Sequence, residues 1–214
     1  MPMSTLENLS EAVQAGRVKE VLALIEAGLD EGLSAKALLD QGLLTGMNLL
    51  GVKFKNNEVF VPEVLIAARA LNKGTELLKP LLIAAGVEPK GTAVIGTVQG
   101  DLHDIGKNLV KMMLEGSGFA VVDLGVDVTA DQFIEALREH SPDLLCLSAL
   151  LTTTMEQQRA VVEAVADAGL RDQVKILVGG APITQGYCAE IGADGYAPDA
   201  ASAAELAGSF LAGR

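Results

Sequence analysis

An acidic side chain and an imidazole stand two residues apart in the segment GTVQGDLHDIGKNLV, residues 96–110. A neutral imidazole is the commonest nitrogen ligand for a metal ion, and its second ring nitrogen is usually held by a carboxylate or a carbonyl. Asp101 and His103 therefore suit a metal ligand with its supporting acid. One ligand cannot hold a bare ion tightly, so the metal would arrive inside a cofactor that fills its other positions. The same pair also fits a capped turn with only local hydrogen bonds, and both interpretations stay open here.

The glycines around this pair do not have the spacing of a phosphate-binding loop. Such a loop places four residues between its first glycine and Gly-Lys, which Ser or Thr follows. Here five residues separate Gly100 from Gly106, and Asn108 follows the lysine. Asp101 and Asp104 would also repel a phosphate group. The segment is therefore not predicted to bind a nucleotide phosphate.

The elements that would position this pair lie in the second half of the chain. From residue 92 onward, short apolar runs alternate with longer amphipathic ones, which predicts strands that alternate with helices. The predicted strands are residues 92–98, 120–124, 144–148, 174–178 and 195–197. The predicted helices are residues 105–115, 130–140, 155–168, 184–191 and 200–212. This order predicts an α/β fold with a doubly wound, flavodoxin-like (Rossmann-like), five-stranded parallel sheet.

Ligands of such sheets bind past the carboxyl ends of the strands. The loops that meet there are residues 99–104, 125–129, 149–154 and 179–183. Ser148 is expected to donate its hydroxyl to Asp101. Gly179 and Gly180 carry no side chains, so a ligand can approach the backbone closely. An ordinary capping hydroxyl and an ordinary strand-to-helix turn are the alternatives for these residues.

The first half of the chain carries a helical pattern throughout, with apolar residues three and four positions apart. Glycines and the pair Asn56–Asn57 divide it into four helices, which predicts an antiparallel four-helix bundle over residues 1–84. Residues 85–91, AGVEPKG, have no periodicity and are predicted to be a linker. Residues 92–214 then form the second domain.

Taken together, the singled-out residues form a longer pattern. Asp-x-His-x-x-Gly is followed after 41 residues by Ser-x-Leu, and after 28 more by Gly-Gly. This combination resembles the cobalamin-binding fingerprint. The segment FVPEVLIAARALNKG, residues 60–74, resembles the helical cap of methyltransferase corrinoid proteins, a family that is similar to the cobalamin-binding region of methionine synthase. The resemblance covers nearly the whole chain.

The resemblance implies a role for each matching residue. The cofactor is cobalamin, bound base-off with His103 as the lower axial ligand to cobalt, while Asp101 bonds to the imidazole and Ser148 to Asp101. The displaced nucleotide tail passes the sheet edge, and the implied cofactor-binding residues are Asp101, His103, Gly106, Ser148, Leu150, Gly179 and Gly180. The helical domain covers the methyl-bearing face, where Phe60, Val61 and Leu65 either shield the cobalt–carbon bond or belong to the bundle core. No catalytic residue is implied.

The implied function is that of a methyl carrier. A substrate-specific corrinoid methyltransferase loads the cobalt, and a second methyltransferase passes the methyl group to coenzyme M or tetrahydrofolate; a reductive activator is a further implied partner. The alternatives are a cobalamin-dependent sensor, the small subunit of a radical mutase, or a flavodoxin-like module for another ligand.

Composition limits the compartment and the partners. Sixteen Lys and Arg against 28 Asp and Glu give a net charge of −12, which argues against nucleic acid or an anionic membrane as a partner. No apolar run is long enough for a transmembrane helix, and the N-terminus does not have the pattern of a secretory signal. Two distant cysteines and two histidines do not form a disulfide framework or a structural zinc site. The expected location is the cytoplasm.

Overall fold

The computed structural model describes residues 4–212, which separate into two compact units. The first runs to Pro89 and also includes Gly116–Gly118, and the second contains Lys90–Glu115 and the chain from Phe119 onward. The helices of the first unit are α1 (Thr5–Gln14), α2 (Val18–Asp30), α3 (Ala35–Ala37), α4 (Thr45–Lys55) and α5 (Val61–Ala84), and a π-helical segment, Leu38–Leu44, joins α3 to α4 without a break. The predicted helical N-terminal region is confirmed.

Two glycines let the continuous helix formed by α3, the π-helical segment and α4 approach α1 closely. A Cβ at Gly42 would lie 2.5 Å from Leu9, and one at Gly46 would lie 2.6 Å from the carbonyl oxygen of Ser10. Gly42 belongs to the π-helical segment, so the irregular turn lies where the two helices are in closest contact. Such turns follow from tertiary packing, and the sequence pattern alone predicts an ordinary helix here.

The second unit is built on five strands: β1 (Thr92–Thr97), β2 (Ala120–Asp123), β3 (Leu144–Ser148), β4 (Lys175–Gly179) and β5 (Gly195–Tyr196). All neighbouring strands are parallel, in the order β2-β1-β3-β4-β5. The connecting helices are α6 (Ile105–Gly116), α7 (Ala130–His140), α8 (Met155–Asp167), α9 (Gln185–Glu190) and α10 (Ala200–Leu211). The predicted flavodoxin-like sheet is confirmed.

Both faces of the sheet are covered, because alternate residues of each central strand are buried on opposite sides. Val94, Leu145 and Ile176 pack with α7, α8 and α9 in one apolar core. The residues that follow them, Ile95, Cys146 and Leu177, are also buried and point to the opposite face. Right-handed crossovers place the remaining helices, α6 and α10, on that face.

The side chains become small where the α6–α10 face reaches the carboxyl ends of the strands. Thr97 pairs with Ser148 and Ser148 with Gly179 across three neighbouring strands. These residues lie two positions beyond Ile95, Cys146 and Leu177, so they share a face with them. A row of threonine, serine and glycine thus replaces the large apolar side chains there. Within residues 4–212, none of the helices is long and apolar enough to cross a membrane.

Candidate cofactor-binding site

The loop between β1 and α6 carries the predicted acid–imidazole pair. The Asp101 side chain is fully buried, whereas about half of the His103 side chain, 51 %, is exposed. One carboxylate oxygen, Asp101 Oδ1, lies 2.7 Å from Nδ1 of the imidazole and accepts the backbone N–H of His103 at 3.0 Å. The structure therefore brings Asp101 and His103 together as the sequence predicts.

The second oxygen of Asp101 is also held by two donors. Asp101 Oδ2 accepts the backbone N–H of Leu150 at 2.7 Å and the hydroxyl of Thr154 at 2.8 Å. Burial alone would raise the pKa of Asp101, but the hydrogen bonds from Leu150, His103 and Thr154 outweigh burial and hold that pKa well below its usual range. Asp101 is therefore a carboxylate at neutral pH.

A buried carboxylate fixes which nitrogen of His103 carries the proton. An ionised carboxylate can only accept hydrogen bonds, so the Nδ1 atom must donate to Asp101. The other ring nitrogen, Nε2, then carries the lone pair of the neutral imidazole. No residue in 4–212 forms a hydrogen bond with Nε2. The half-exposed ring thus presents Nε2, with its lone pair free for a metal, at the carboxyl ends of the strands.

The hydroxyl that reaches Asp101 belongs to Thr154, and the predicted bond from Ser148 is wrong. Ser148 is the last residue of β3, and its side chain belongs to the row of small residues on the α6–α10 face. The chain then turns through residues 149–153 and brings Thr154 back to Asp101. Among the described residues, the Ser148 hydroxyl donates to no protein acceptor. It remains available to a ligand.

Gly179, the last residue of β4, and Gly180, which follows it, serve different purposes. A Cβ at Gly179 would meet only the carbonyl oxygen of Ala197, at 3.6 Å, so its lack of a side chain leaves open space. Gly180 has a φ of +128°, and a Cβ there would overlap the carbonyl oxygen of Ala149. Gly180 is thus required by close packing of the protein backbone, whereas Gly179 widens the row of small residues.

The loop in front of α6 is open and bordered by exposed apolar side chains. A Cβ at Gly106 would meet nothing within 4 Å. Leu102 and Ile105, on either side of His103, are 72 % and 71 % exposed. Leu150 and Leu151 are exposed as well. An exposed ligand nitrogen inside an apolar rim suits a large, flat, mainly apolar group that carries its own metal.

The donor set agrees with a metal that arrives inside such a group. Within the described part of the chain, no three His, Cys, Asp or Glu residues are grouped to hold a metal ion. His103 therefore offers one protein ligand. The open space at Gly106 and Gly179 is room that a bound group can fill. The residues present fit a corrinoid, which supplies the remaining ligands of its cobalt.

Comparisons with known proteins identify the family. Residues 91–205 match the model of a B12 binding domain, and residues 5–79 match a second model, also described as a B12 binding domain. The chain is 42 % identical over 208 residues to a dimethylamine corrinoid protein of Methanosarcina barkeri, covering 97 % of both chains. It is 45 % identical over 177 residues to a trimethylamine corrinoid protein of Methanosarcina acetivorans, covering 82 % of each.

A solved structure agrees with these sequence comparisons. The chain matches the methanol:cobalamin methyltransferase complex MtaBC from Methanosarcina barkeri with a TM-score of 0.87 and 30 % identity, covering 98 % of this chain and 80 % of that one. The chain belongs to the methyltransferase corrinoid protein family.

Two features of this corrinoid protein refine expectations from its sequence. Lys107, the lysine of the rejected phosphate loop, is 3 % exposed, and its Nζ bonds to Asp123 at 2.6 Å, so it is unavailable to a phosphate. Phe60 is 63 % and Leu65 42 % exposed, so the alternative that places these two side chains in the bundle core is wrong, whereas Val61 is partly buried.

Sequence reasoning missed two residues of this corrinoid protein that hold the His103 loop. Thr154 lies in the run Thr152–Thr154, and nothing in three identical side chains shows which one turns inward. Thr97 is fully buried, and its hydroxyl donates to the carbonyl oxygen of His103 at 2.9 Å. For Thr97, the signal in the sequence was a polar residue at the end of an otherwise apolar strand.

Proposed function

We propose that the chain binds cobalamin base-off, with Nε2 of His103 as the lower axial ligand, and carries a methyl group between two methyltransferases. The observation that carries this proposal is the Asp101-held imidazole, whose loop is bonded through the His103 carbonyl oxygen to Thr97, the first member of the row of small residues. The bound cobalt supplies the centre that accepts and releases the methyl group.

The residues around His103 hold the ring and its proton. The carboxylate of Asp101 keeps the proton on Nδ1 and makes Nε2 a better donor to the metal. Because Leu150 and Thr154 also donate to Asp101, the Asp101 carboxylate stays ionised beside the imidazole. We therefore assign to Asp101 the role of orienting the ring and keeping the proton on Nδ1.

The row of small residues would receive the nucleotide tail. Thr97, Ser148 and Gly179 lie in register on one face of the sheet, and the Thr97 hydroxyl is engaged by His103. Ser148 then offers the free hydroxyl of the row, and Gly179 and Gly106 offer the space. The exposed side chain of Leu150 would contact the corrin beside the ligand nitrogen.

The partners follow from the proposed chemistry and from the relatives. The proteins that match are corrinoid proteins for dimethylamine and trimethylamine and a complex for methanol. We therefore propose a methyltransferase for a methylated amine or alcohol as the loading partner, a second methyltransferase acting on coenzyme M or tetrahydrofolate as the receiving partner, and a reductive activator.

The domain plan is part of the same proposal. Residues 1–84 would act as the cap, residues 85–91 as the linker, and residues 92–214 as the cobalamin-binding domain. The exposed side chains of Phe60 and Leu65 are available to shield the methyl group. The linker would allow the partner enzymes to reach it.

Cobinamide, the corrinoid without a nucleotide tail, tests the binding mode. Visible titration should show tighter binding of cobalamin than of cobinamide, because only cobalamin can fill the row of small residues. Gly179→Leu should remove that preference. Gly208→Leu, at an exposed position of α10 with open space and no positive φ, is the control for the added bulk and should keep the preference. Equal affinity for the two corrinoids in the unsubstituted chain would contradict the proposed tail site. Methyl loading by candidate methyltransferases then tests the carrier role.

A further inference from the structure

We infer that Asp127, which lies outside the cobalamin fingerprint, is a positioning residue that sets the geometry of the His103 ligand. The inference rests on the proposed function, since it concerns how firmly His103 holds a bound cobalt. Asp127 lies in the loop between β2 and α7, and its side chain is exposed. Within the described chain its hydrogen bonds go to the backbone of Gly100 and Asp101 and not to His103 or the Asp101 carboxylate, so it acts through the backbone that carries them.

Asp127 binds the two peptide groups that flank the Gly100–Asp101 peptide bond. Its carboxylate oxygen Oδ1 accepts the N–H of Gly100 at 2.7 Å. Its own backbone N–H donates to the carbonyl oxygen of Asp101 at 3.0 Å. One residue thereby fixes the chain where it enters the turn and where the ligand-orienting acid is attached. From this position the carboxylate of Asp101 reaches both the ring and the backbone N–H of His103.

The backbone conformation of Asp127 indicates that its two hydrogen bonds to Gly100 and Asp101 are a specific feature of this loop. Its φ is +55°, in the left-handed region that side chains other than those of Gly, Asn and Asp rarely adopt. That conformation directs the N–H and the side chain of one residue toward the same neighbouring loop. A positive φ at a residue with a side chain is worth explaining, and the two bonds to the His103 loop explain it.

The segment that contains Asp127 also holds the other side of the His103 loop. Lys107, in the first turn of α6, is buried and donates to both oxygens of Asp123 at 2.6 and 2.7 Å. Asp123 in turn accepts the N–H of Gly125 at 2.9 Å, and the carbonyl oxygen of Gly125 accepts the N–H of Thr97 at 3.0 Å. Residues 123–127 are thus bonded to the strand before His103 and to the helix after it.

Substitutions at Asp127 can separate its oxygen acceptor from its backbone conformation. Asp127→Gly keeps a positive φ without strain but removes the acceptor. Asp127→Asn keeps both the oxygen and the tolerance of a positive φ. Ser141→Gly is the matched control, because Ser141 also has a positive φ, +43°, but lies between α7 and β3, at the amino-terminal ends of the strands.

The experiment is a double-mutant cycle with His103→Ala, read as the Kd for cobalamin in the Co(II) state. In the chain that retains His103, Asp127→Gly should raise Kd on the order of fivefold, the value expected for one hydrogen bond. In the His103→Ala background the same substitution should leave Kd unchanged, because no ligand remains to be positioned. Asp127→Asn should retain most of the affinity, and Ser141→Gly all of it.

The outcomes separate this inference from the proposed function. An equal rise in Kd in both backgrounds, or no rise with His103 present, would overturn the inference, since Asp127 would then act independently of the ligand or not at all. Loss of affinity in Asp127→Asn equal to that in Asp127→Gly would also overturn it. If His103→Ala itself bound cobalamin as tightly as the unsubstituted chain, the ligand assignment of the proposed function would fail instead.

Discussion

Replacing Thr154 by valine tests whether this hydroxyl, and not that of Ser148, completes the hydrogen bonding of Asp101. Thr154 is 6 % exposed, and its hydroxyl lies 2.8 Å from the fully buried carboxylate. Valine keeps the branched shape and removes the donor. A hydrogen bond to a charged group contributes about 1.5–3 kcal/mol, and Asp101 Oδ2 would keep only the donor from Leu150. Thr154→Val should therefore lower the free energy of unfolding by about 2 kcal/mol.

The assay is urea unfolding followed by tyrosine fluorescence. The chain has two tyrosines and no tryptophan, and Tyr187 and Tyr196 both lie in the sheet unit, so the signal reports that unit alone. With a denaturant dependence of about 2 kcal/mol per molar urea, the midpoint should fall by about 1 M. Ser148→Ala is one control and should stay within about 0.5 kcal/mol of the unsubstituted chain. Thr154→Ser, which keeps the hydroxyl and loses one buried methyl group, should lose only about 1 kcal/mol. A Ser148→Ala loss larger than that of Thr154→Val would refute the assignment.

Three further substitutions test other parts of the structure. Gly180→Ala should lower the free energy of unfolding of the sheet unit by at least about 3 kcal/mol in the same urea assay, because of its positive φ and the overlap with Ala149; a Gly179→Ala chain that loses as much would contradict this. Asp101→Asn should cost about 3 kcal/mol at pH 7, since its amide would face donors. Because the pKa of Asp101 is lowered in the folded chain, the ionised carboxylate stabilises the fold above the ordinary pKa of 3.8, and this stabilisation is lost as the pH falls below it. The difference in urea midpoint between the unsubstituted chain and Asp101→Asn should therefore narrow below pH 4. A difference that stays constant with pH would contradict the lowered pKa. Gln158→Met should change the free energy of unfolding by less than about 1 kcal/mol. The substitution loses two hydrogen bonds to backbone carbonyls, but it also removes the buried Oε1, which has no partner among the described residues. A thermal shift that corresponds to a loss of more than about 3 kcal/mol would show that these two effects do not offset each other.

The sheet and its functional edge were predictable because their signals are local. Fully apolar runs such as residues 144–147 mark strands buried on both faces, and right-handed crossovers leave few arrangements for them. The pair Asp101 and His103 could be singled out because the two residues are only two positions apart in the chain and their chemistry is distinctive. Their direct bond follows from the two-residue separation in an irregular turn.

The partners of Asp101 and of its loop could not be predicted, because they come from distant chain segments whose paths depend on packing. Ser148 has the right chemistry and lies at the end of β3, yet the path of residues 149–153 selects Thr154. Asp127 carries no motif, and its role depends on a positive φ that the sequence does not reveal. The π-helical segment near Gly42 likewise reflects contact with α1 rather than a local preference.

The most direct test of the account is the electron paramagnetic resonance spectrum of the chain with cobalamin reduced to Co(II). An axial nitrogen splits each cobalt line into a triplet, and nitrogen-15 changes that triplet into a doublet. Because the chain has two histidines, labelling with nitrogen-15 histidine should produce the doublet, His103→Ala should abolish the splitting, and His140→Ala should leave it unchanged. A spectrum without nitrogen splitting, a triplet that persists in the labelled chain, or splitting that depends on His140 would contradict the assignment of His103 as the cobalt ligand.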